Sequence, residues 1–165
     1  AYVTRPDALL KSFTTALDRF TDGAPHALYR RAASGDYERV AANLAGAPDA
    51  VDADEPLLVS LRASQAATHC ADTETSLPGE LALPSVHHGQ LDGFVLLGPK
   101  PKGEVYRPDE REVLSHAAHQ VGLDFRALRM EQLEHEVAEA RRIIEQLRGA
   151  AAATGERALP GAARL

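Results

Sequence analysis

Tryptophan is missing from this chain, and cysteine and methionine occur once each, as Cys70 and Met130. One thiol cannot close an intrachain disulfide, which suits a reducing compartment. Aromatic residues make up only 5% of the sequence, so no aromatic cage for a cationic ligand is evident. No apolar run approaches the roughly 18 residues of a membrane-spanning helix, and no secretory leader is visible. Acidic residues outnumber basic ones, 24 to 18, which counts against a nucleic-acid binder with its usual basic face. An HExxH helix, a P-loop, a recognisable Ser-His-Asp set and a paired catalytic carboxylate are also missing. A cytoplasmic protein, or the cytoplasmic part of a membrane-anchored one, is the expectation. The chain begins at Ala1 without a methionine, as expected of a piece of a longer protein or of a chain whose Met has been removed by processing.

What is present is clear patterning, over a length that allows one domain with a real core and some additional helix. Thr4-Arg5-Pro6-Asp7 reads as a helix start with Thr4 as cap, and Leu9, Leu10, Phe13, Leu17 and Phe20 follow at helical spacing up to Asp22-Gly23. His26 to Ala33 and Tyr37 to Leu44 flank Ser34-Gly35-Asp36 as a hairpin. A loop is expected over residues 46–54. A short helix follows with Pro56 in its first turn, then a short strand from Ala66 to Cys70 and a polar loop to Gly79. Leu81 to His87 and Gln90 to Leu97 form a second hairpin across His88-Gly89. Pro108-Asp109-Glu110 opens a long helix, with the proline in the first turn and the acids at the positive end of the dipole.

The second hairpin and the helix after it carry a resemblance. Leu83-Pro84-Ser85-Val86, Gly89, Leu91-Asp92-Gly93-Phe94-Val95-Leu96 and Tyr106-Arg107-Pro108-Asp109-Glu110, with Leu114 and Ala117-Ala118 beyond, resemble the GAF domain, a sensory module of bacterial signalling proteins. The order helix, hairpin, variable segment, hairpin, helix is that family's order. The resemblance spans roughly Ala8 to Met130. It implies an α/β (α+β) fold with one antiparallel sheet of five or six strands. The first and last helices would pack on one face, and a short helix with loops would cover a pocket on the other. One departure is Arg107, which stands where the family often has a Ser or Thr cap and cannot accept that hydrogen bond.

By the same resemblance, the segment from Pro56 to Leu77 covers the ligand pocket. The cover offers Leu58, Leu61, Arg62, Thr68 and Cys70, and the sheet offers Leu28, Arg30, Leu83 and Ser85. Such a lining, apolar with a few polar groups, suits a small, partly apolar ligand with an anionic or carbonyl group for Arg62. No cofactor is identified. Bilin-binding relatives place a His after the anchoring Cys, whereas this chain has His69-Cys70. GAF-type methionine sulfoxide reductases need more than one cysteine. The cyclic-nucleotide subclass carries an Asn-Lys-Phe-Asp-Glu run that is not found here. Cys70 therefore reads as a small buried apolar residue. Arg30 and Arg31, as strand neighbours, are expected to face opposite ways, with one paired to Glu38 or Asp36.

The histidines give no metal signature. His87 and His88 should face opposite sides of a strand. His116 and His119 share a helix face but lack companion ligands; His116 would cover the sheet edge while His119 meets solvent. A haem ligand, if any, would be His26, His69 or His87.

In the last helix, Val113, Leu114, Ala117, Val121 and Phe125 form the stripe expected on the sheet. Met130, Leu133, Val137, Ala140, Ile144 and Leu147 then alternate steps of three and four, a heptad seam. The expected organisation is a sensory domain over residues 1–130, a coiled-coil helix over 131–148 and a disordered tail or linker over 149–165. The expected homodimer uses Leu9, Phe13 and Leu17 of the first helix together with the seam. The function these readings imply is a non-catalytic sensory module that relays a ligand or partner through a dimeric helix. The alternatives are a dimerisation scaffold, whose pocket is filled by Leu28, Leu58, Leu61 and Leu83, and a small GAF-fold enzyme.

Overall fold

The structure is a computed structural model that describes the backbone of residues 5–162 and the side chains of residues 5–154. Helix α1 (Arg5–Thr21) precedes strands β1 (His26–Arg31), β2 (Tyr37–Ala42) and β3 (Ala50–Val51). Helix α2 (Pro56–Ser64) leads to β4 (Thr68–His69), a single 3-10 turn at Cys70–Asp72, β5 (Leu81–His87), β6 (Gln90–Leu97) and helix α3 (Pro108–Ala162). The strands form one six-stranded sheet in the order β3-β2-β1-β6-β5-β4, with every pairing antiparallel. The expected cap Thr4 lies outside the described residues.

Both expected hairpins form. The second turns on His88 (φ 50°) and Gly89 (φ 74°), the doubly left-handed backbone of the tight turn that matches strand twist. Pro84 lies within β5, but β4 pairs only with Leu81 and Ala82. At Pro84 the strand has β6 alone as a neighbour, so one missing N–H is tolerated. Strand β3 lies in the segment expected as loop: it is two residues long and held by pairing to Tyr37 and Glu38, a contact with no local sequence signal.

Alternation along the central strands builds two cores. On one face Leu28, Leu81, Leu83, Val95 and Leu97 pack with Phe13 and Leu17 of α1 and with Leu114, Ala118 and Val121 of α3. On the other face Ala27, Tyr29, Ala82, Phe94 and Leu96 pack with Leu57, Leu58 and Leu61 of α2. Each fully buried leucine contributes about 1.5–3 kcal/mol of transfer free energy. Helix α3 reaches the first core by a close approach. A Cβ on Gly122 would stand 1.6 Å from Ser85 Oγ, so only glycine fits at that contact. Gly93 has a similar role inside the sheet, where a Cβ would lie 2.5 Å from the Tyr29 carbonyl oxygen.

The chain divides into a compact body ending at Phe125 and a second unit beginning at Arg126. The helical backbone continues through Gly149 to Ala162, where a linker was expected. Periodicity reports packing, not helix propensity, so its absence there does not exclude a helix. Ala150 to Ala153 are the strongest helix formers. Val113 also departs from expectation: it is 46% exposed, and the stripe on the sheet is Leu114, Ala118 and Val121.

Candidate functional site

The space between α2 and the sheet is where a pocket was expected, and side chains fill it. Glu55 caps α2 by accepting from Leu57 N at 2.7 Å and also accepts from the Thr75 hydroxyl, which holds the loop after β4 against the helix. With its axis so fixed, α2 drives Leu57, Leu58 and Leu61 into the sheet, each 0% exposed. They meet the stacked rings of Tyr29 and Phe94, whose centroids are 4.7 Å apart, and the edge of Tyr37 at 5.5 Å from Phe94. The polar atoms of this core are already engaged. Tyr29 Oη donates to the Pro48 carbonyl and Tyr37 Oη to the Leu91 carbonyl, both at 2.7 Å. Arg62 Nη2 donates to the Ala53 carbonyl at 2.6 Å. Burial raises the pKa of both tyrosines above the ordinary phenol value, so neither ionises near neutrality.

The residues expected to line one pocket do not converge. Leu58, Leu61 and Cys70 share the α2 core, with Arg62 half-buried at its edge. Leu28 and Leu83 belong to the opposite core under α1 and α3, and Ser85 lies against Gly122 on that side. The period of two makes face assignment all-or-none, and these residues occupy the parity opposite to Tyr29, Ala82 and Phe94. Arg30 is exposed and paired to Glu38, Nε to Oε1 at 2.7 Å. Arg31 is exposed as well; both lie at the end of β1, so the expected inward arginine does not occur. Thr68 is half-buried and its hydroxyl donates locally to the Ala66 carbonyl at 3.1 Å.

Cys70 is 5% exposed. Burial, reinforced by the nearby charge of Glu55, pushes its thiol up to about 11. A thiol held protonated near neutrality is a poor nucleophile and metal ligand. His87 and His88 were expected to diverge, yet their rings meet edge-on with centroids 4.1 Å apart, because His88 is a turn residue and strand alternation stops at His87. His116 and His119 are both exposed. His69 Nε2 lies 3.3 Å from Arg111 Nη1, and His26 Nδ1 lies 4.0 Å from Asp18. Among the described residues no group of three or more His, Cys, Asp or Glu comes together as a metal would require.

A cavity of about 480 Å³ opens at the start of α3, lined by Asp22, Lys100, Glu104, Val105, Arg107 and Glu110. Three of its charged groups are paired, with Glu110 joined to both Lys100 and Arg107. Lys100 is 6% exposed; its Nζ lies 2.5 Å from Glu110 Oε2 and 5.2 Å from the centre of the Tyr106 ring. Glu110 also accepts from Arg107 N at 3.1 Å and Arg107 Nε at 3.0 Å. This is the return half of a capping box: the carboxylate three residues into the helix satisfies the N-terminal amide although Arg107 offers no cap of its own. The Lys100 ammonium and the Arg107 amide together hold the Glu110 carboxyl down at about 2. Tyr106 Oη donates to the Gly98 carbonyl at 2.7 Å. The arrangement fastens the loop after β6 to the first turn of α3. Sequence reading assigned Glu110 to the helix dipole alone. The spacing from Arg107 to Glu110 was the available sign, while nothing local marks Lys100 as buried.

The remaining feature is on α3. Met130, Leu133, Val137, Ile144 and Leu147 are 46–66% exposed, and Ala140 is exposed between them. The α1 residues expected to share a dimer interface with them are occupied. Phe13 and Leu17 are buried in the body's core, with Leu9 packed beside them, because the sheet face beneath α1 takes its apolar stripe. No helix among the described residues is long and apolar enough to cross a membrane.

No protein-family model matches the sequence, and no curated protein matches it. Solved structures do. A GAF domain/HD domain protein from Geobacter sulfurreducens is similar over 78% of this chain and 96% of its own, at 15% identity and TM-score 0.62. The second GAF domain of DevS from Mycobacterium smegmatis aligns over 78% of this chain and 99% of its own, at 11% identity and TM-score 0.60. A PelD fragment from Pseudomonas aeruginosa in complex with c-di-GMP aligns over 70% of this chain and 40% of its own, at 19% identity and TM-score 0.52. With its six-stranded antiparallel sheet between α2 and the α1–α3 pair, the chain has the fold of a GAF domain.

Proposed function

We propose that this chain is a non-catalytic relay module of a larger bacterial signalling protein, cytoplasmic in location, which works as a dimer paired along α3. The observation that carries this reading is the apolar seam from Met130 to Leu147, exposed on a helix that continues without a break from the body. An apolar stripe at heptad spacing gains its burial only from a second helix. A change in the body at Leu114, Ala118 and Val121 acts on the same helix, and helix pairing gives two copies a common output. The packing of Tyr29, Phe94 and Leu61 under α2 favours an input that arrives as a protein contact, with the body acting as scaffold.

A small ligand is the second reading. It is favoured by the likeness to PelD, whose structure is a complex with c-di-GMP, and it requires the α2 core to open. Native mass spectrometry of freshly purified protein distinguishes the two: a co-purified small molecule favours the ligand reading, and mass equal to the chain alone favours the scaffold.

The dimer is tested by sedimentation velocity. The wild type should be dimeric at high micromolar concentration, and Val137→Glu should weaken association by tenfold or more, since it puts a charge in the seam. A monomeric wild type overturns the proposal.

A further inference from the structure

We infer that Arg111 of α3 and His69 of the edge strand β4 form a binding site for a small oxyanion of the phosphate type. The site is separate from the α2 core and independent of the dimer proposed above.

Arg111 is a guanidinium without a counter-charge. Arg30, Arg39, Arg107 and Arg142 each pair with a carboxylate. Among the described residues no carboxylate lies within ion-pair distance of Arg111, although its side chain is half-buried. Its chain neighbour Glu110 is turned to Lys100 and Arg107. Buried charges are as a rule paired, and a guanidinium carries only donors. Here Nη1 makes one long bond, 3.3 Å, to His69 Nε2, and Nε is shut off from solvent with no hydrogen-bond partner. A buried donor left without a bond is costly, so this side chain gains from any group that brings it negatively charged acceptors.

The group that meets Arg111 points to the same ligand. His69 pairs with Leu81, whose side chain lies in the core under α1 and α3, so alternation puts the imidazole on that face. Strand β4 ends the sheet, which leaves the ring at its rim. Because the guanidinium only donates, His69 Nε2 accepts and the ring proton sits on Nδ1. A carboxylate at this position would close an ordinary ion pair. An imidazole supplies no negative charge, and in its doubly protonated form it adds a further donor. An anion bound between the two groups offsets both. Ser115, half-buried, stands one turn further along the same side of α3 and brings a hydroxyl. A phosphate group presents several acceptor oxygens in different directions, enough for the guanidinium, the imidazole and the hydroxyl together, whereas a carboxylate has two in one plane. Reaching Nε requires the guanidinium to turn, and the long bond to His69 is the contact given up. Occupancy ties the start of α3 to β4, the strand that follows α2, without opening the α2 core.

The test uses the full chain and inorganic phosphate, with glycerol phosphate and acetate at matched ionic strength. Phosphate should shift the His69 imidazole resonances in NMR spectra and raise the melting temperature by about 3 °C at roughly ten times its dissociation constant. Arg111→Gln removes a charge that no carboxylate offsets, so without phosphate it should melt at or above the wild-type temperature. It should bind phosphate roughly tenfold or more weakly. Arg111→Lys keeps the charge but not the planar fork, and its affinity should fall between the two. Glycerol phosphate binding as tightly marks a phosphomonoester site, and inorganic phosphate binding alone marks a free-ion site; either supports the inference. It is overturned if phosphate leaves the His69 resonances unmoved, if Arg111→Gln binds as the wild type does, or if acetate matches phosphate. None of these outcomes bears on the α3 dimer, which sedimentation tests separately.

Discussion

Gly122 illustrates how a single side chain decides between opposing effects. In an exposed helix, alanine would be better than glycine by about 1 kcal/mol. Here the added methyl would meet Ser85 Oγ at 1.6 Å and Ser85 Cβ at 2.8 Å. Overpacking of this kind costs about 1–3 kcal/mol, which outweighs the propensity gain. Gly122→Ala should therefore lower the denaturant midpoint, with a net loss of up to about 2 kcal/mol. Adding Ser85→Ala should recover only part of it, because the Cβ contact remains. A midpoint unchanged or raised in the single variant would mean that α3 does not approach β5 as described. Ser85 is thus a packing residue of the sheet, though its sequence position suggested a ligand contact.

At the scale of elements, the junction of β6 with α3 depends on Glu110. Its carboxylate joins the Lys100 ammonium, the Arg107 guanidinium and the Arg107 amide. Because its folded value is held near 2, below the ordinary 4.5, the ionised form stabilises the native state. That contribution is fully present above about pH 4.5, declines as the pH falls and is lost on approaching pH 2. Glu110→Gln removes the charge at every pH and leaves Lys100 buried without its partner. It should cost roughly 2–3 kcal/mol at neutral pH, at or just below the range for breaking a buried pair, since the carboxylate is not fully enclosed. Between pH 4.5 and 2 the variant should lose less stability than the wild type. Parallel pH curves for the two proteins in urea melts would rule out this assignment.

On the scale of the whole molecule, the body and the helix beyond it are stabilised by different things. The cores of the body are complete within the chain, since their buried members run from Phe13 to Val121. In the dimer proposed above, the exposed seam beyond Arg126 gains its partner by association, so its stability would follow protein concentration. Thermal melts followed by helical circular dichroism should shift upward with concentration. Melts followed by the near-ultraviolet signal of the buried tyrosines Tyr29 and Tyr37 should shift much less. Coincident, concentration-independent transitions would place the seam within a single chain and contradict the dimer.

Strand alternation, the turn at His88-Gly89, the proline and acids at the head of α3 and the heptad steps after Met130 are local patterns, and each was legible in the sequence. Local periodicity and backbone preference act over a few residues, so they survive without knowledge of the fold. Which face of the sheet α2 covers was not legible. A shift of one residue exchanges Leu28 and Leu83 for Tyr29 and Ala82, and the cover that selects between them comes from a segment distant in sequence. The burial of Lys100 over Tyr106, the use of Phe13 and Leu17 within the body and the narrow crossing at Gly122 likewise arise only when separate elements pack. The chain by itself determined its elements and their order. The tertiary structure decided which side chains fill the α2 core and which apolar stripe remains exposed, because burial is a property of contacts between elements.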